Sequence, residues 1–216
     1  MAPVLRVYPQ HKGVFIVSNQ TDIISRPTFV AGVADPGALG LAAFALTTFV
    51  LSVANAGWIP DAGAGALALA LFYGGIAQLL AGMWEFVKGN TFGAVAFTSY
   101  GSFWLAVWFL LTNDALAKAA GADGLAVFFL AWTIFTFYMT IGAIKASRIV
   151  LLVFIALLIT FVLLTIGAFS GSATATNIGG IVGLVTAVLA WYGSAASVIN
   201  STWGRTVLPI GAPKAS

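Results

Sequence analysis

Uncharged polar side chains recur inside three long apolar stretches of this chain. The stretch GGIAQLLAGMWEF, residues 74 to 86, carries an amide at Gln78 and a carboxylate at Glu85, seven residues apart and therefore near one helical face. The apolar stretch before it carries Thr47 and Thr48, and the one after it carries the polar cluster TSYGS. Hydroxyl and amide groups can donate hydrogen bonds to a small anion or to a neutral solute, which would require a polar path between the helices. The alternative is structural, because Ser, Thr and Gln also satisfy backbone carbonyls or bridge helices in membranes.

The composition indicates that a lipid bilayer surrounds these polar groups. Of the 216 residues, 61% are hydrophobic and only 7% are charged, whereas soluble domains carry about 25% charged residues. Six stretches approach or exceed the roughly 20 apolar residues that cross a bilayer as a helix. They are Leu39–Gly57, Ala64–Val87, Phe92–Leu111, Gly124–Ile144, Ile149–Phe169 and Ile178–Ile199. We therefore predict an all-α integral membrane protein with six transmembrane helices.

The basic residues predict the orientation of these helices. Eight of the nine Lys and Arg residues fall on one side of the predicted topology, and only Lys118 falls on the other side, together with three aspartates. Because short cytoplasmic loops are enriched in Lys and Arg, we expect both termini in the cytoplasm. The chain then divides into an N-terminal tail or interfacial segment at residues 1–34, a transmembrane domain at 35–204 and a C-terminal tail at 205–216.

Several classes of function find no support in the sequence. The absence of cysteine excludes disulfides, thiolate metal sites and thiol nucleophiles, and the single histidine, His11, lies in the N-terminal segment. The chain shows no hydrolase triad and no phosphate-binding loop, and its basic residues are too scattered for a nucleic-acid surface. We therefore predict no enzyme activity, no metal, no cofactor and no nucleic-acid partner.

Glu85 has a simple structural explanation. It lies three residues before Lys88, near the basic end of its helix, so we expect an ion pair between these two side chains at the membrane interface. The chain has no intramembrane series of Asp, Glu and His side chains of the kind that relays protons through pumps. Gln78 is therefore the better candidate for contact with a solute.

Three blocks of the sequence resemble those of a known family. They are DPGALGLAAFALTT at the start of the first helix, FYGGIAQLLAGMWEFVKGNTFGAVAFTSYGSFW at residues 72 to 104, and GRTVLPIG at residues 204 to 211. From Asp35 to Gly211 the chain resembles the acetate uptake transporter family, also called succinate–acetate permeases. The resemblance implies a plasma-membrane homohexamer in which each protomer passes acetate and similar short carboxylates, with succinate as a further candidate, by a channel-like or proton-coupled route.

The resemblance also implies roles for individual residues. It assigns a hydrophobic constriction to Phe44, Tyr100 and Leu157. It assigns substrate-binding or pore-lining positions to Thr47, Thr48, Gln78 and Ala190. It assigns the inner mouth of the pathway to Glu85 and Asn90.

The start of the first helix departs from the family signature at two positions. The usual Asn is Asp35 here, and the second proline of the signature is Ala38. Asp35 followed by Pro36 still predicts a well-capped helix start. A carboxylate at this position is expected to repel an incoming anion if this helix end lines the cytoplasmic mouth.

The residues alone leave other functions open. A channel for a small neutral solute such as urea would use the same uncharged path. A non-transporting sensor or scaffold would instead fill its interior with bulky side chains. The mode of transport is open as well, because the missing acid–base series favours a channel, whereas acetic acid could carry its own proton.

Overall fold

The computed structural model describes residues 32 to 211, in which six helices are long and apolar enough to cross a membrane. They are α1 (Pro36–Asn55), α2 (Ala62–Lys88), α3 (Thr91–Thr112), α4 (Asp114–Ala143), α5 (Arg148–Ser170) and α6 (Ala173–Trp203). This described part contains no strand. The prediction of an all-α chain with six membrane-capable helices is therefore confirmed. The predicted N-terminal tail, His11 included, lies almost wholly outside the described residues.

Two helices begin well before their predicted first residues. The sixth helix begins at Ala173 rather than Ile178, because the Ser172 hydroxyl accepts a backbone N–H of the first turn. The fourth begins directly after the cap residue Asn113, whose side chain likewise accepts a backbone N–H, but a kink at Gly121 (φ 60°, ψ −167°) separates this first stretch from the apolar stretch predicted from Gly124. Such caps extend a helix into polar sequence, which a prediction from apolar length leaves out.

The six helices form a closed ring. Each helix packs against the next one in the sequence, and α1 packs along α6, which closes the ring. Short connections make neighbouring helices antiparallel, so α1, α3 and α5 begin at the end of the ring where α2, α4 and α6 finish. This end is called the basic end here because Lys88, Lys145 and Arg148 lie at the helix termini that meet there.

Glycines bring α2 close to its two neighbours. A Cβ atom at Gly74 would lie 2.6 Å from Thr47 Oγ1 of α1, and one at Gly82 would collide with Thr98 of α3. The absence of a side chain at these two positions therefore allows α2 to approach both neighbours closely. Gly74 also lies in a π-helical turn, Phe72–Ala77, and such turns are frequent at functional sites.

The segment after α6 folds back onto the bundle. Asn200 Oδ1 accepts the backbone N–H groups of Val207 and Leu208 at 2.7 and 2.9 Å, and its Nδ2 donates to the Leu208 carbonyl at 2.8 Å. The Arg148 N–H donates to the Gly211 carbonyl at 2.8 Å. The described part of the segment that the sequence indicated as a C-terminal tail is thus bonded to the starts and ends of helices at the basic end.

Candidate functional site

Two cavities lie inside the helix ring, one after the other along its length. The larger one, of about 650 Å³, lies at the basic end and is lined there by Asp35, Glu85 and Lys145; it is called the Asp35 cavity. The smaller one, of about 280 Å³, lies toward the opposite end and is lined by Asn55 at the end of α1 and by Trp104 of α3; it is called the Trp104 cavity.

Three side chains line both cavities, namely Phe44, Tyr100 and Leu157. They come from α1, α3 and α5, and all three are buried. The ring centroids of Phe44 and Tyr100 lie 5.9 Å apart. The fold therefore brings together, at the boundary between the two cavities, the three residues that the sequence resemblance assigned to a constriction.

Tyr100 is held in place by its hydroxyl and by its ring. The hydroxyl lies 2.8 Å from Thr136 Oγ1 of α4, and both residues are buried. The ring meets Phe135 edge-on, with centroids 5.3 Å apart. Because the hydroxyl is engaged by α4, Tyr100 contributes its ring rather than a free hydroxyl to the boundary. Thr136 is thus a positioning residue that the sequence pattern did not single out.

Gln78 lies in the wall of the Asp35 cavity directly after the π-helical turn. Its side chain is only 1% exposed. Neither Nε2 nor Oε1 has a hydrogen-bond partner among the described residues. A buried polar group without a partner costs about 1–3 kcal/mol. The amide offers two N–H donors, which suits a carboxylate that enters the cavity.

The two neighbouring threonines of α1 differ in what their hydroxyls do. Thr47 Oγ1 donates to the Ala43 carbonyl at 2.9 Å and packs against Gly74. Thr48 lines the Trp104 cavity, and its hydroxyl has no partner in the described part of the chain. Thr47 and the fully buried Ala190 are not among the residues that line the two cavities. Their assignment to the pathway stays a prediction.

The carboxylates at the basic end are paired differently from the expectation. Lys88 Nζ lies 2.9 Å from Asp35 Oδ1. Glu85 is only 2% exposed, and its Oε2 accepts a hydrogen bond from Asn90 Nδ2 at 2.9 Å. The expected ion pair between Glu85 and Lys88 is therefore wrong, because the packing of α1 against α2 brings a second carboxylate to the lysine. Glu85 and Asn90 both line the Asp35 cavity, and their assignment to the inner mouth of the pathway stays a prediction.

Asp35 connects three elements at this mouth. Its Oδ2 accepts the Ser197 hydroxyl of α6 at 2.7 Å, and its Oδ1 accepts the Gly37 N–H as the cap of α1. Burial raises the pKa of Asp35, but hydrogen bonds from Lys88 and Ser197, the charge of Lys88 and the Gly37 N–H together lower it below its ordinary value of 3.8. The carboxylate that was expected to repel an anion is thus balanced by an ammonium group.

Trp104 is a lining residue that the sequence did not single out. It is buried in α3, and its Nε1–H has no partner among the described residues. Tryptophan is common in aromatic-rich membrane helices, so only the packing distinguishes this indole from the others. Trp104 thus combines a place in the wall of this cavity with a buried donor that has no partner in the described part of the chain.

Comparisons with known proteins agree with this architecture. The model of the GPR1/FUN34/yaaH family matches residues 18–211. The succinate-acetate/proton symporter SatP of Escherichia coli (strain K12) is 43% identical over 180 residues, which cover 82% of this chain and 95% of the symporter. Acetate permease A of Emericella nidulans is 38% identical over 198 residues, which cover 82% of this chain and 65% of the permease. The solved structure of the bacterial acetate channel SatP matches with a TM-score of 0.78 and 42% identity, covering 83% of this chain and 99% of that one.

These matches confirm the resemblance found in the sequence. The relatives are transporters and a channel, so the prediction that this chain is not an enzyme is confirmed. Together with the six apolar helices, they identify a multi-pass membrane protein.

Proposed function

The chain belongs to the GPR1/FUN34/yaaH family, and we propose that it transports acetate and similar short carboxylates along a pathway inside each protomer. The observation that carries this proposal is that Phe44, Tyr100 and Leu157 line both the Asp35 cavity and the Trp104 cavity. Small movements of these side chains would join the two cavities into one path through the helix ring. The names of the relatives support a carboxylate as the solute.

The lining of the path suits an anion with a small apolar tail. A carboxylate is costly to move out of water unless hydrogen bonds replace its hydration. The unpartnered amide of Gln78 offers such bonds on one side of the boundary, and the Thr48 hydroxyl offers one on the other side. The rings and the leucine between them provide apolar surface for a methyl group and limit the width of the solute. Among the described residues that line the Trp104 cavity none is charged, so binding there is weak enough for release.

The positions of the basic residues support the proposed orientation of the protein in the membrane. Lys88, Lys145 and Arg148 lie at the helix termini of the basic end, and Lys- and Arg-rich ends face the cytoplasm. The proposal therefore places the Asp35 cavity at the cytoplasmic mouth, with both chain termini on that side of the plasma membrane. It keeps residues 35–204 as the transmembrane domain, flanked by terminal segments at 1–34 and 205–216.

The proposed assembly is a homohexamer with one path in each subunit. Large apolar side chains are exposed on several helices, for example Phe72 of α2, Phe137 of α4 and Val188 of α6. Such surface is available to lipid and to neighbouring subunits. A mass measurement of the purified protein in its lipid or detergent shell tests the number of subunits, and a monomer would contradict the hexamer.

Uptake of radiolabelled acetate into liposomes tests the transport proposal. Flux is measured with and without a pH gradient, and empty liposomes correct for acetic acid that crosses the lipid unaided. Uptake that the gradient leaves unchanged indicates channel-like passage, whereas uptake driven by an acidic exterior indicates movement with a proton. Propionate is expected to compete and urea is not. Competition by urea alone would indicate a channel for neutral solutes, and no flux under either condition would contradict transport.

A further inference from the structure

The segment that follows α6 forms part of the mouth of the Asp35 cavity. Residues 207–211 of this segment are called the C-terminal strap here. Ile210 of the strap lines the cavity, as do Asn200 and Ser201 from the last turn of α6. The Ile210 side chain is 37% exposed, so it borders both the cavity and the surroundings of the protein. The strap therefore lies at the opening of the cavity and not deep inside the ring.

Hydrogen bonds hold the strap more than apolar burial does. Asn200 makes three bonds to the strap backbone, between 2.7 and 2.9 Å, and the Tyr192 hydroxyl donates to the Pro209 carbonyl at 2.9 Å. Val207 and Ile210 remain 40% and 37% exposed. A segment with few buried apolar contacts opens at a lower free-energy cost than the whole protein unfolds. The strap can therefore open while the helix ring stays folded.

The far end of the strap bonds to the start of α5. The Gly211 carbonyl accepts the Arg148 N–H at 2.8 Å, and the Ile210 carbonyl accepts the Ile149 N–H at 3.2 Å. The first N–H groups of a helix have no partner within that helix, so the strap satisfies two of them. Arg148 is exposed and Ile149 lines the cavity. Water at the mouth can replace the strap carbonyls there, which keeps the released state accessible.

We propose that the C-terminal strap is a movable gate at the mouth of the Asp35 cavity, and that Asn200 is the positioning residue that holds it closed. The proposal rests on the proposed function, because this mouth is where the proposed pathway reaches the basic end. In the closed state, Ile210 narrows the opening. Gly204, with a φ of 62°, ends α6 directly before the segment and allows the chain to turn there. Release of the strap widens the mouth and leaves the boundary between the two cavities unchanged.

Thiol accessibility measures the width of this mouth, because the chain contains no cysteine of its own. V153C places one thiol in the wall of the Asp35 cavity, since Val153 of α5 lines that cavity and is 3% exposed. Full-length protein in lipid nanodiscs is treated with a small neutral methanethiosulfonate or with one that carries a bulky polar group. The rate with the bulky reagent divided by the rate with the small one reports the width of the mouth.

Three further substitutions in V153C test the role of Asn200. N200A removes three hydrogen bonds of the strap, so the bulky-to-small rate ratio is expected to rise at least about tenfold. Y192F removes only the bond to the Pro209 carbonyl and is expected to raise the ratio by a smaller factor. T202A is the matched control, because Thr202 lies in the same turn of α6 and its side chain is exposed. Its ratio is expected to equal that of V153C alone.

The outcomes separate the gate from transport itself. A ratio that N200A and Y192F leave unchanged overturns the gate, and acetate uptake by liposomes would then still support the proposed function. A raised ratio in a protein that takes up no acetate would support the gate and contradict transport. A ratio that T202A raises as much as N200A does also overturns the gate, since the effect would then belong to the end of α6 in general.

Two substitutes keep the test decisive. If N200A does not fold, Y192F decides, and a ratio equal to that of V153C overturns the gate. If V153C reacts with neither reagent, the thiol is placed at Val150, which lines the same cavity and is only partly buried. The same rise in the ratio is expected there, and its absence overturns the gate.

Discussion

Lys88 Nζ lies 2.9 Å from Asp35 Oδ1 and thereby joins the end of α2 to the start of α1. The other oxygen of the same carboxylate accepts the Ser197 hydroxyl of α6 at 2.7 Å. Three helices of the ring are thus connected through one side chain at the mouth of the Asp35 cavity. The group that makes this connection is the Asp35 carboxylate. The sequence resemblance marked this position as a departure from the family signature, with an aspartate in place of the usual asparagine.

Replacing Asp35 should change how stability depends on pH. Its pKa is lowered below 3.8 in the folded protein, because the hydrogen bonds and the charge of Lys88 outweigh the effect of burial. A lowered pKa means that the stabilisation is present at neutral pH and is lost as the pH falls from 3.8 through the folded-state value. We expect the melting temperature of the wild type to fall more steeply over this acid range than that of D35N.

The size of the Asp35 effect should be small, since the two paired side chains are 34% and 49% exposed. A partly exposed pair contributes about 1 kcal/mol or less. Melting curves in detergent at a series of pH values measure it. D61N is the control, because the Asp61 side chain makes no capping hydrogen bond at the start of its helix. Identical acid slopes for the wild type and D35N would contradict the role of the ion pair.

Replacing Gln78 should separate transport from stability. Q78L removes an amide that is buried without a partner. The free energy of unfolding should therefore stay the same or rise by up to about 1–3 kcal/mol, and the melting temperature should not fall. Acetate flux should fall, because the solute loses its donors in the Asp35 cavity. Flux in liposomes and melting in detergent are measured on the same preparation. A destabilised variant with unchanged flux would show that the amide serves packing instead.

Thr136 should control the boundary through Tyr100. T136V leaves the Tyr100 hydroxyl buried without its partner. We therefore expect the free energy of unfolding to fall by about 1–3 kcal/mol and the Tyr100 ring to become more mobile. A less fixed ring should admit bulkier solutes, and the ratio of lactate flux to acetate flux should rise.

T133V is the matched control for this prediction. Thr133 lies on the same helix, but its hydroxyl bonds to the Phe129 carbonyl and to Thr165, away from Tyr100. Its flux ratio should equal that of the wild type. A ratio that rises equally in both variants would assign the effect to general loosening of α4.

The sequence predicted the features that depend on composition and on family resemblance. Apolar length was enough to place all six helices, because every residue in a membrane span must be compatible with lipid or with a packed interior. The resemblance brought Phe44, Tyr100 and Leu157 together as one set before any packing was known. Their common position between the two cavities depends on the closed ring, which hydropathy does not determine.

The features that the sequence missed depend on contacts between distant segments. The partner of Lys88 is set by the way α1 packs against α2, so the nearby Glu85 was the wrong choice. The free N–H of Trp104 is visible only once its surroundings are known. Ile210 lines the Asp35 cavity because Asn200 bonds to the backbone of the segment after α6. The sequence indicated only a C-terminal tail there.

The central claim, that carboxylates pass between the two cavities at Leu157, is tested most directly by solute selectivity in liposomes. Labelled acetate and labelled lactate are compared in L157A and in L152A, which makes the same change on the exposed face of α5. Removing the Leu157 side chain widens the boundary, so the ratio of lactate flux to acetate flux should rise in L157A and stay at the wild-type value in L152A. A ratio that is unchanged in L157A, or that rises equally in L152A, would contradict the account.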